Sequence, residues 1–255
     1  ATAFLANVSV AAVTNERTWV GAGATEVKVV ASDKQVNDWF GVSVAISGDY
    51  AIVGAPYEDT GATDAGAAYI YKRDGASWTE QTKIQASDKQ ANDYFGIFVA
   101  ISGDYAIVGA TGEDTGGADA GAAYIFTRSG TSWTEQAKIV ASDKQAGDRF
   151  GGSVSISGDY AIVGAIFEDT GGADAGAAYI FTRSGTSWTE QAKIVASDKQ
   201  AGDRFGGSVS ISGDYAIVSA EDEDTGGTNA GAAYIFIRNG TSWTEQAKIQ
   251  ASDKE

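Results

Sequence analysis

The sequence contains no cysteine, no histidine and no methionine, and it has a single proline, Pro56, among its 255 residues. Without cysteine the chain can form no disulfide and no thiolate zinc site, and it has no thiol nucleophile. Without histidine it lacks the usual general base and the commonest transition-metal ligand. These absences disfavour most kinds of catalytic centre. We therefore expect a protein that is not an enzyme and that requires no cofactor.

Basic residues are also scarce, because 18 lysines and arginines stand against 34 aspartates and glutamates, which gives a net charge of −16. Nucleic acids and anionic membrane surfaces both attract basic proteins, so neither is an expected partner. The opening segment ATAFLANVSVAAV is too short to span a bilayer, and we expect no membrane insertion. Since the chain does not begin with methionine and shows no basic leader, we expect an extracellular or cell-surface protein whose signal peptide has been removed.

A unit of 55 residues repeats four times and organises most of the chain. Each copy carries a Phe-Gly pair, a Gly-Asp-Tyr-Ala-Ile-Val block and a tryptophan at the same relative positions. The Phe-Gly pairs are Phe40-Gly41, Phe95-Gly96, Phe150-Gly151 and Phe205-Gly206, and the tryptophans are Trp78, Trp133, Trp188 and Trp243. The units run over residues 36–90, 91–145, 146–200 and 201–255, and residues 1–35 precede them.

Each unit contains four runs that are typical of β-strands. In the third unit they cover residues 152–156, 160–163, 177–182 and 188–194, and they are rich in β-branched and aromatic residues. Short Gly-containing links predict tight hairpins between the first and second runs and between the third and fourth. Four antiparallel strands per unit predict an all-β fold, a β-propeller in which each unit is one blade and the tryptophans pack between blades.

A Phe-Gly pair followed by a hairpin and a Gly-Ala pair resembles the FG-GAP repeat of integrin α-subunit propellers and of bacterial extracellular proteins. The first copy reads Phe40-Gly41 and then Gly54-Ala55, whereas the fourth departs from the pattern with Ser219-Ala220. The resemblance implies a propeller with a structural or adhesive role outside the cell. Many FG-GAP blades bind calcium in a D-x-D-x-D-G loop, but the matching loop here is only Ser-Gly-Asp. One carboxylate cannot supply the oxygens that calcium needs, so that site is absent.

A longer acidic loop between the second and third runs of each unit offers a second place for calcium. Its carboxylates could chelate the ion with help from backbone carbonyls, or its Asp and Gly residues could serve turn geometry alone. The candidate calcium ligands are Glu58, Asp59, Asp64, Glu113, Asp114, Asp119, Glu168, Asp169, Asp174, Glu223 and Asp224.

The two residues that follow each Gly-Ala or Ser-Ala pair differ in every copy, although the third and fourth copies differ at only 7 of 55 positions. A constant frame with one variable loop per blade suits recognition on one rim of the propeller. Neutral drift at exposed positions is the alternative. The candidate recognition residues are Pro56, Tyr57, Thr111, Gly112, Ile166, Phe167, Glu221 and Asp222.

The first 35 residues fill only part of a blade. Residues 25–34 match a last strand and its exit, so the segment either closes a five-bladed ring or extends a four-bladed one. Its apolar residues could also pair with a second copy and build a filament. The candidate strand-exchange residues are Ala3, Phe4, Leu5, Ala6, Asn7, Val8, Ser9 and Val10.

The expected function is therefore a non-catalytic structural or adhesion propeller that self-assembles into a filament or surface layer. The alternative is a lectin-like propeller with one glycan site per blade. An enzyme is disfavoured because the acidic residues recur in every unit, whereas a catalytic site breaks the symmetry of a repeat. The expected partners are another copy of the chain, an extracellular protein or a glycan.

Overall fold

The computed structural model describes residues 26–252, which form sixteen β-strands in four sheets. No helix occurs in this part of the chain, and hence none that could cross a membrane. The predicted all-β class is confirmed. In the third unit, each observed strand lies within two residues of the predicted run at both ends.

Every sheet has four antiparallel strands in chain order. The first contains β1 (Val44–Ser47), β2 (Tyr50–Ala55), β3 (Ala67–Asp74) and β4 (Ser77–Ile84). The second contains β5 (Val99–Ser102), β6 (Tyr105–Ala110), β7 (Ala122–Ser129) and β8 (Ser132–Ile139). The third contains β9 (Ser153–Ser157), β10 (Tyr160–Ala165), β11 (Ala177–Ser184) and β12 (Ser187–Ile194). The fourth contains β13 (Phe205–Ser212), β14 (Tyr215–Ala220), β15 (Ala232–Asn239) and β16 (Ser242–Ile249).

Consecutive sheets pack face to face, and their first strands β1, β5, β9 and β13 contact one another in that order. The core lies between the sheets. At the first junction, Ile52 and Ile70 of the first unit pack against Phe95 and Tyr124 of the second unit, and all four side chains are fully buried. Trp133 belongs to the same cluster, as predicted for the repeated tryptophans. This arrangement is that of propeller blades preceded by an N-terminal extension.

The Phe-Gly pair lies at the junction between blades. The Phe95 amide donates a 3.0 Å hydrogen bond to the Ala65 carbonyl of the preceding blade, and the residue forms a parallel bridge with Gly66. A Cβ on Gly66 would lie 2.1 Å from the Phe95 carbonyl oxygen. The motif therefore serves packing and close backbone approach, and the same contacts recur at Phe150 and Phe205.

Residues 26–34 are not in a strand, but they contact the first blade. The residues that follow the fourth strand of a blade make the same contacts with the next blade. The Ser32 hydroxyl donates to Glu80 at 2.8 Å, and the Tyr69 hydroxyl donates to Asp33 at 2.7 Å. The sequence match over residues 25–34 predicted a last strand and its exit. The exit contacts are present, but the predicted strand does not form within residues 26–34, so that part of the prediction is wrong. The strand-exchange candidates at residues 3–10 lie outside the described residues, and strand exchange stays a prediction. No core cluster within residues 26–252 joins the fourth sheet to the first.

Candidate functional site

The loops that follow the second strand of each sheet meet on one rim of the molecule, around a cavity of about 560 Å³. Six of the eight candidate recognition residues line this cavity, and every blade contributes at least one: Tyr57, Thr111, Gly112, Ile166, Phe167 and Glu221. Pro56 and Asp222 are not in its lining. The variable residues that follow the Gly-Ala or Ser-Ala pairs thus lie around a single cavity.

The residue before each Phe-Gly pair also contributes a side chain to this rim, and these residues are not among the candidates predicted from the sequence. These residues are Trp39, Tyr94, Arg149 and Arg204, and each has a positive φ of 53–57°. Residues other than glycine are uncommon in this left-handed region, and they occur often at functional sites. Hydrogen bonds hold the backbone there, because the amides of Tyr94 and Arg149 donate to carbonyls of the preceding acidic loop at 3.1 Å. The sequence did contain a signal for these four residues, because they vary between copies although the Phe-Gly pair that follows them is constant.

The first two blades give the rim an aromatic half. The ring of Tyr57 lies between two others, with its centroid 4.6 Å from Trp39 and 5.4 Å from Tyr94. Both pairs meet edge to face, which is a favourable arrangement for aromatic rings. Trp39 remains 58% exposed. The cluster therefore presents aromatic surface that the core does not use.

The third and fourth blades give the rim a charged half. The guanidinium groups of Arg149 and Arg204 lie over the ring of Phe167, at 5.2 Å and 5.6 Å from its centroid. Arg204 also forms a 2.9 Å ion pair with Asp222. Arg149 is exposed, and it has no carboxylate within ion-pair distance among residues 26–252. Arg204 is therefore neutralised within the protein, whereas Arg149 is available to a ligand.

The candidate calcium loops use their acidic residues in contacts within the protein. Glu58 is fully buried, forms a 2.7 Å ion pair with Lys83, and accepts hydrogen bonds from Thr60. Asp59 accepts a hydrogen bond from the Asp64 amide at 2.8 Å, which holds a turn. The other three loops repeat this pattern, with small differences at the threonine. No three acidic residues within residues 26–252 are grouped as a metal site. Both alternatives for these loops, calcium chelation and turn geometry alone, stay predictions.

A buried aspartate stabilises the turn ahead of each Phe-Gly pair. In the second unit, Asp93 is 2% exposed and accepts a hydrogen bond from the Gln90 amide at 2.6 Å. Burial raises the pKa of this carboxyl from its ordinary value to about 6, and repulsion from Glu113 and Asp88 adds to the effect. The equivalent Asp148 and Asp203 have raised pKa values for the same main reason.

Comparison with known proteins identifies the family of the repeat. A model of the FG-GAP repeat matches residues 24–71, 78–126, 133–181 and 188–236. Among solved structures, the chain is similar to a 6-phosphogluconolactonase-like protein from Bacteroides uniformis, with a TM-score of 0.52 and 10% identity over 84% of this chain and 57% of that one. The chain thus spans little more than half of that structure, and the likeness concerns the fold alone. No curated protein sequence matches the chain.

Proposed function

The chain belongs to the FG-GAP repeat family, and we propose that it is a non-catalytic extracellular adhesion propeller that binds its partner at the rim cavity. FG-GAP repeats are typical of extracellular proteins. The observation that carries the proposal is the convergence of variable residues from all four blades on one cavity. Its volume lies within the range of about 300–1,000 Å³ that is usual for ligand sites.

The distribution of differences between copies favours recognition over drift. At the rim, Ile166 and Phe167 of the third copy are replaced by Glu221 and Asp222 in the fourth. The Ser-Gly-Asp turn between the first two strands is identical in all four copies, although its Gly and Asp are exposed. Five of the seven differences between the third and fourth copies lie on or beside the long loop, so the changes are concentrated near the rim. Variable loops on a constant scaffold are the usual arrangement of a binding surface.

The acidic residues support the non-catalytic part of the proposal. In each blade the buried glutamate already pairs with a lysine, and the loop aspartate already holds a backbone amide. A general acid or base needs a group that is free to exchange a proton with a substrate. The repeated carboxylates are therefore better suited to structure than to chemistry.

A glycan is the ligand class that the aromatic half of the rim favours. Sugar rings stack on exposed aromatic side chains, and Trp39, Tyr57 and Tyr94 form such a surface at one place. Because these aromatic residues occur only on the first two blades, the proposed lectin has one site rather than one per blade. An extracellular protein is the other class of partner.

Self-assembly is a second proposed property, favoured by apolar residues that the first blade leaves uncovered. Val44 and Ile46 of β1 are 66% and 65% exposed, although their counterparts Val99 and Ile101 of β5 are buried at the first junction. A donated strand from residues 3–10 of another copy would provide such cover. We expect the full chain to form oligomers in size-exclusion chromatography, and deletion of residues 1–13 to abolish them. A monodisperse full-length monomer would exclude this property.

The binding proposal is tested with the full chain on an array of immobilised glycans and extracellular matrix proteins. The double variant Tyr57→Ala, Phe167→Ala should lose at least tenfold in affinity for whatever the wild type binds. Asn239→Ser is a matched control, because it changes a turn away from the cavity to the residue of the third copy. Unchanged binding by the double variant, with the unfolding temperature of the wild type, would exclude the rim cavity as the site.

A further inference from the structure

We propose that the rim cavity selects an acidic glycan, a sugar that carries a single carboxylate, and that Arg149 is the residue that binds this carboxylate. The inference rests on the proposed function, because it names the ligand class of the same cavity. It is carried by one arginine whose surroundings differ from those of every other arginine in the described residues.

Arg149 is the only arginine within residues 26–252 that forms no ion pair with the protein. Four others pair with the aspartate of the Ser-Gly-Asp turn in their own blade, and Arg204 pairs with Asp222. The chain has 34 acidic residues, so an arginine without a carboxylate partner is an exception within it. A guanidinium in this position keeps its donors for a ligand.

The position of Arg149 is fixed from two sides. Its amide donates to the Asp119 carbonyl at 3.1 Å, which anchors the left-handed backbone, and its guanidinium lies over the ring of Phe167. An aromatic ring under a guanidinium leaves the edge of the group free for two parallel hydrogen bonds, which match the two oxygens of a carboxylate. The side chain is therefore prepared for an anion at the cavity wall.

The fourth repeat provides an internal comparison. Arg204 is the equivalent of Arg149, but its neighbour Asp222 replaces Phe167 and neutralises it. The same position thus carries a free cation in one blade and a paired cation in the next. The difference comes from the variable loop and not from the frame.

The remaining lining residues limit the charge of the ligand. Tyr57 and Tyr94 form an aromatic part of the cavity wall, where a sugar ring can stack. Asp119 and Glu221 also line the cavity and would repel a densely charged chain such as a highly sulfated polysaccharide. One carboxylate facing Arg149, with an uncharged ring beside it, is the ligand that satisfies both halves.

The test is titration calorimetry of the full chain with a short oligosaccharide that ends in a uronic acid, and with the same oligosaccharide reduced to the neutral sugar. We expect the acidic form to bind at least tenfold more tightly, and the difference to shrink as salt is added. A sulfated form of the same oligosaccharide is the third ligand, and we expect it to bind more weakly than the carboxylate form.

Three variants assign the preference to Arg149. Arg149→Ala should remove the preference for the acidic form while leaving the neutral form bound, and Arg149→Lys should retain part of it. Phe167→Asp, which copies the fourth repeat, should pair Arg149 and also remove the preference. Arg183→Ala is the matched control, because it removes an arginine of the same blade that does not line the cavity, and it should change the preference little. Each variant is first compared with the wild type by its unfolding temperature.

The outcomes separate this inference from the proposed function. Equal affinity for the acidic and neutral sugars, or a preference that survives Arg149→Ala, would overturn the role of Arg149 and leave a glycan-binding rim standing. If no sugar binds but a matrix protein binds in a way that depends on Tyr57, the ligand class is wrong and the rim site stands. If nothing depends on Tyr57 or Phe167, the rim site itself is wrong.

Discussion

Gly109 lies so close to Gly151 of the next blade that a Cβ on Gly109 would be 2.1 Å from the Gly151 carbonyl oxygen. Gly109 belongs to a Gly-Ala pair and Gly151 to a Phe-Gly pair, so the two parts of the FG-GAP motif meet at the junction between blades. The first and third junctions repeat the contact at 1.9 Å and 2.1 Å. Ser219 stands at the corresponding place in the fourth blade, where no further sheet packs against it within residues 26–252.

The first prediction concerns this contact. Gly109→Ser should lower the free energy of unfolding by about 3 kcal/mol or more, because the new Cβ meets backbone that cannot rotate away. Ser219→Gly is the reverse change at the equivalent position. It should cost only about 1 kcal/mol, through loss of the 2.8 Å hydrogen bond from the Ser208 amide to the Ser219 hydroxyl. Urea unfolding of both variants gives the comparison, and similar losses in the two would contradict the steric explanation.

The second prediction concerns a buried carboxylate oxygen. In the first repeat, the side-chain amide of Gln85 donates to Glu58 at 3.0 Å. The third repeat has Val195 in place of this glutamine, and one carboxylate oxygen of Glu168 has no hydrogen-bond partner among the described residues. Val195→Gln should supply the missing donor and raise the free energy of unfolding by about 1 kcal/mol. The opposite change, Gln85→Val, should lower it by about 1–3 kcal/mol, because it leaves a buried acceptor unsatisfied. Chemical denaturation that ranks these two variants in the opposite order would contradict the prediction.

The third prediction concerns pH. Because the pKa of Asp93 is raised to about 6 in the folded protein, the folded state holds a proton between about pH 4 and pH 6 that the unfolded chain has released. The free energy of unfolding should therefore fall as the pH rises through this range. Asp148 and Asp203 should act in the same direction. Below about pH 4 the trend reverses, because Asp88 has a lowered pKa from its contacts with Lys138 and Tyr124.

Asp93→Asn isolates this effect, since an asparagine keeps an oxygen that can accept the hydrogen bond from Gln90. Relative to the wild type, the variant should gain stability between pH 4 and pH 7, by up to about 3 kcal/mol for a pKa difference of about two units. Urea unfolding at several pH values provides the measurement. Parallel pH profiles for the two proteins would show that Asp93 does not titrate in this range.

The strands and their order could be predicted from the sequence, because the period of 55 fixes the unit and alternating β-branched residues fix the strands within it. The variable rim residues could also be found by comparing copies. The free guanidinium of Arg149 could not, because it depends on a left-handed backbone and on the neighbouring Phe167. The ion pair of Glu58 could not be predicted either, since its partner Lys83 is 25 residues away and only the sheet brings the two together.

The last prediction concerns calcium. We expect the unfolding temperature to be unchanged by a chelator, and titration calorimetry to show no saturable heat at millimolar calcium. Glu58 is buried against Lys83, so a bound cation would have to displace a lysine that pairs with both Glu58 and Asp33. Asp59 and Asp64 then offer two carboxylates, whereas calcium takes six to eight oxygens. A saturable signal that disappears in Asp59→Asn would contradict this expectation and would make the acidic loop a calcium site.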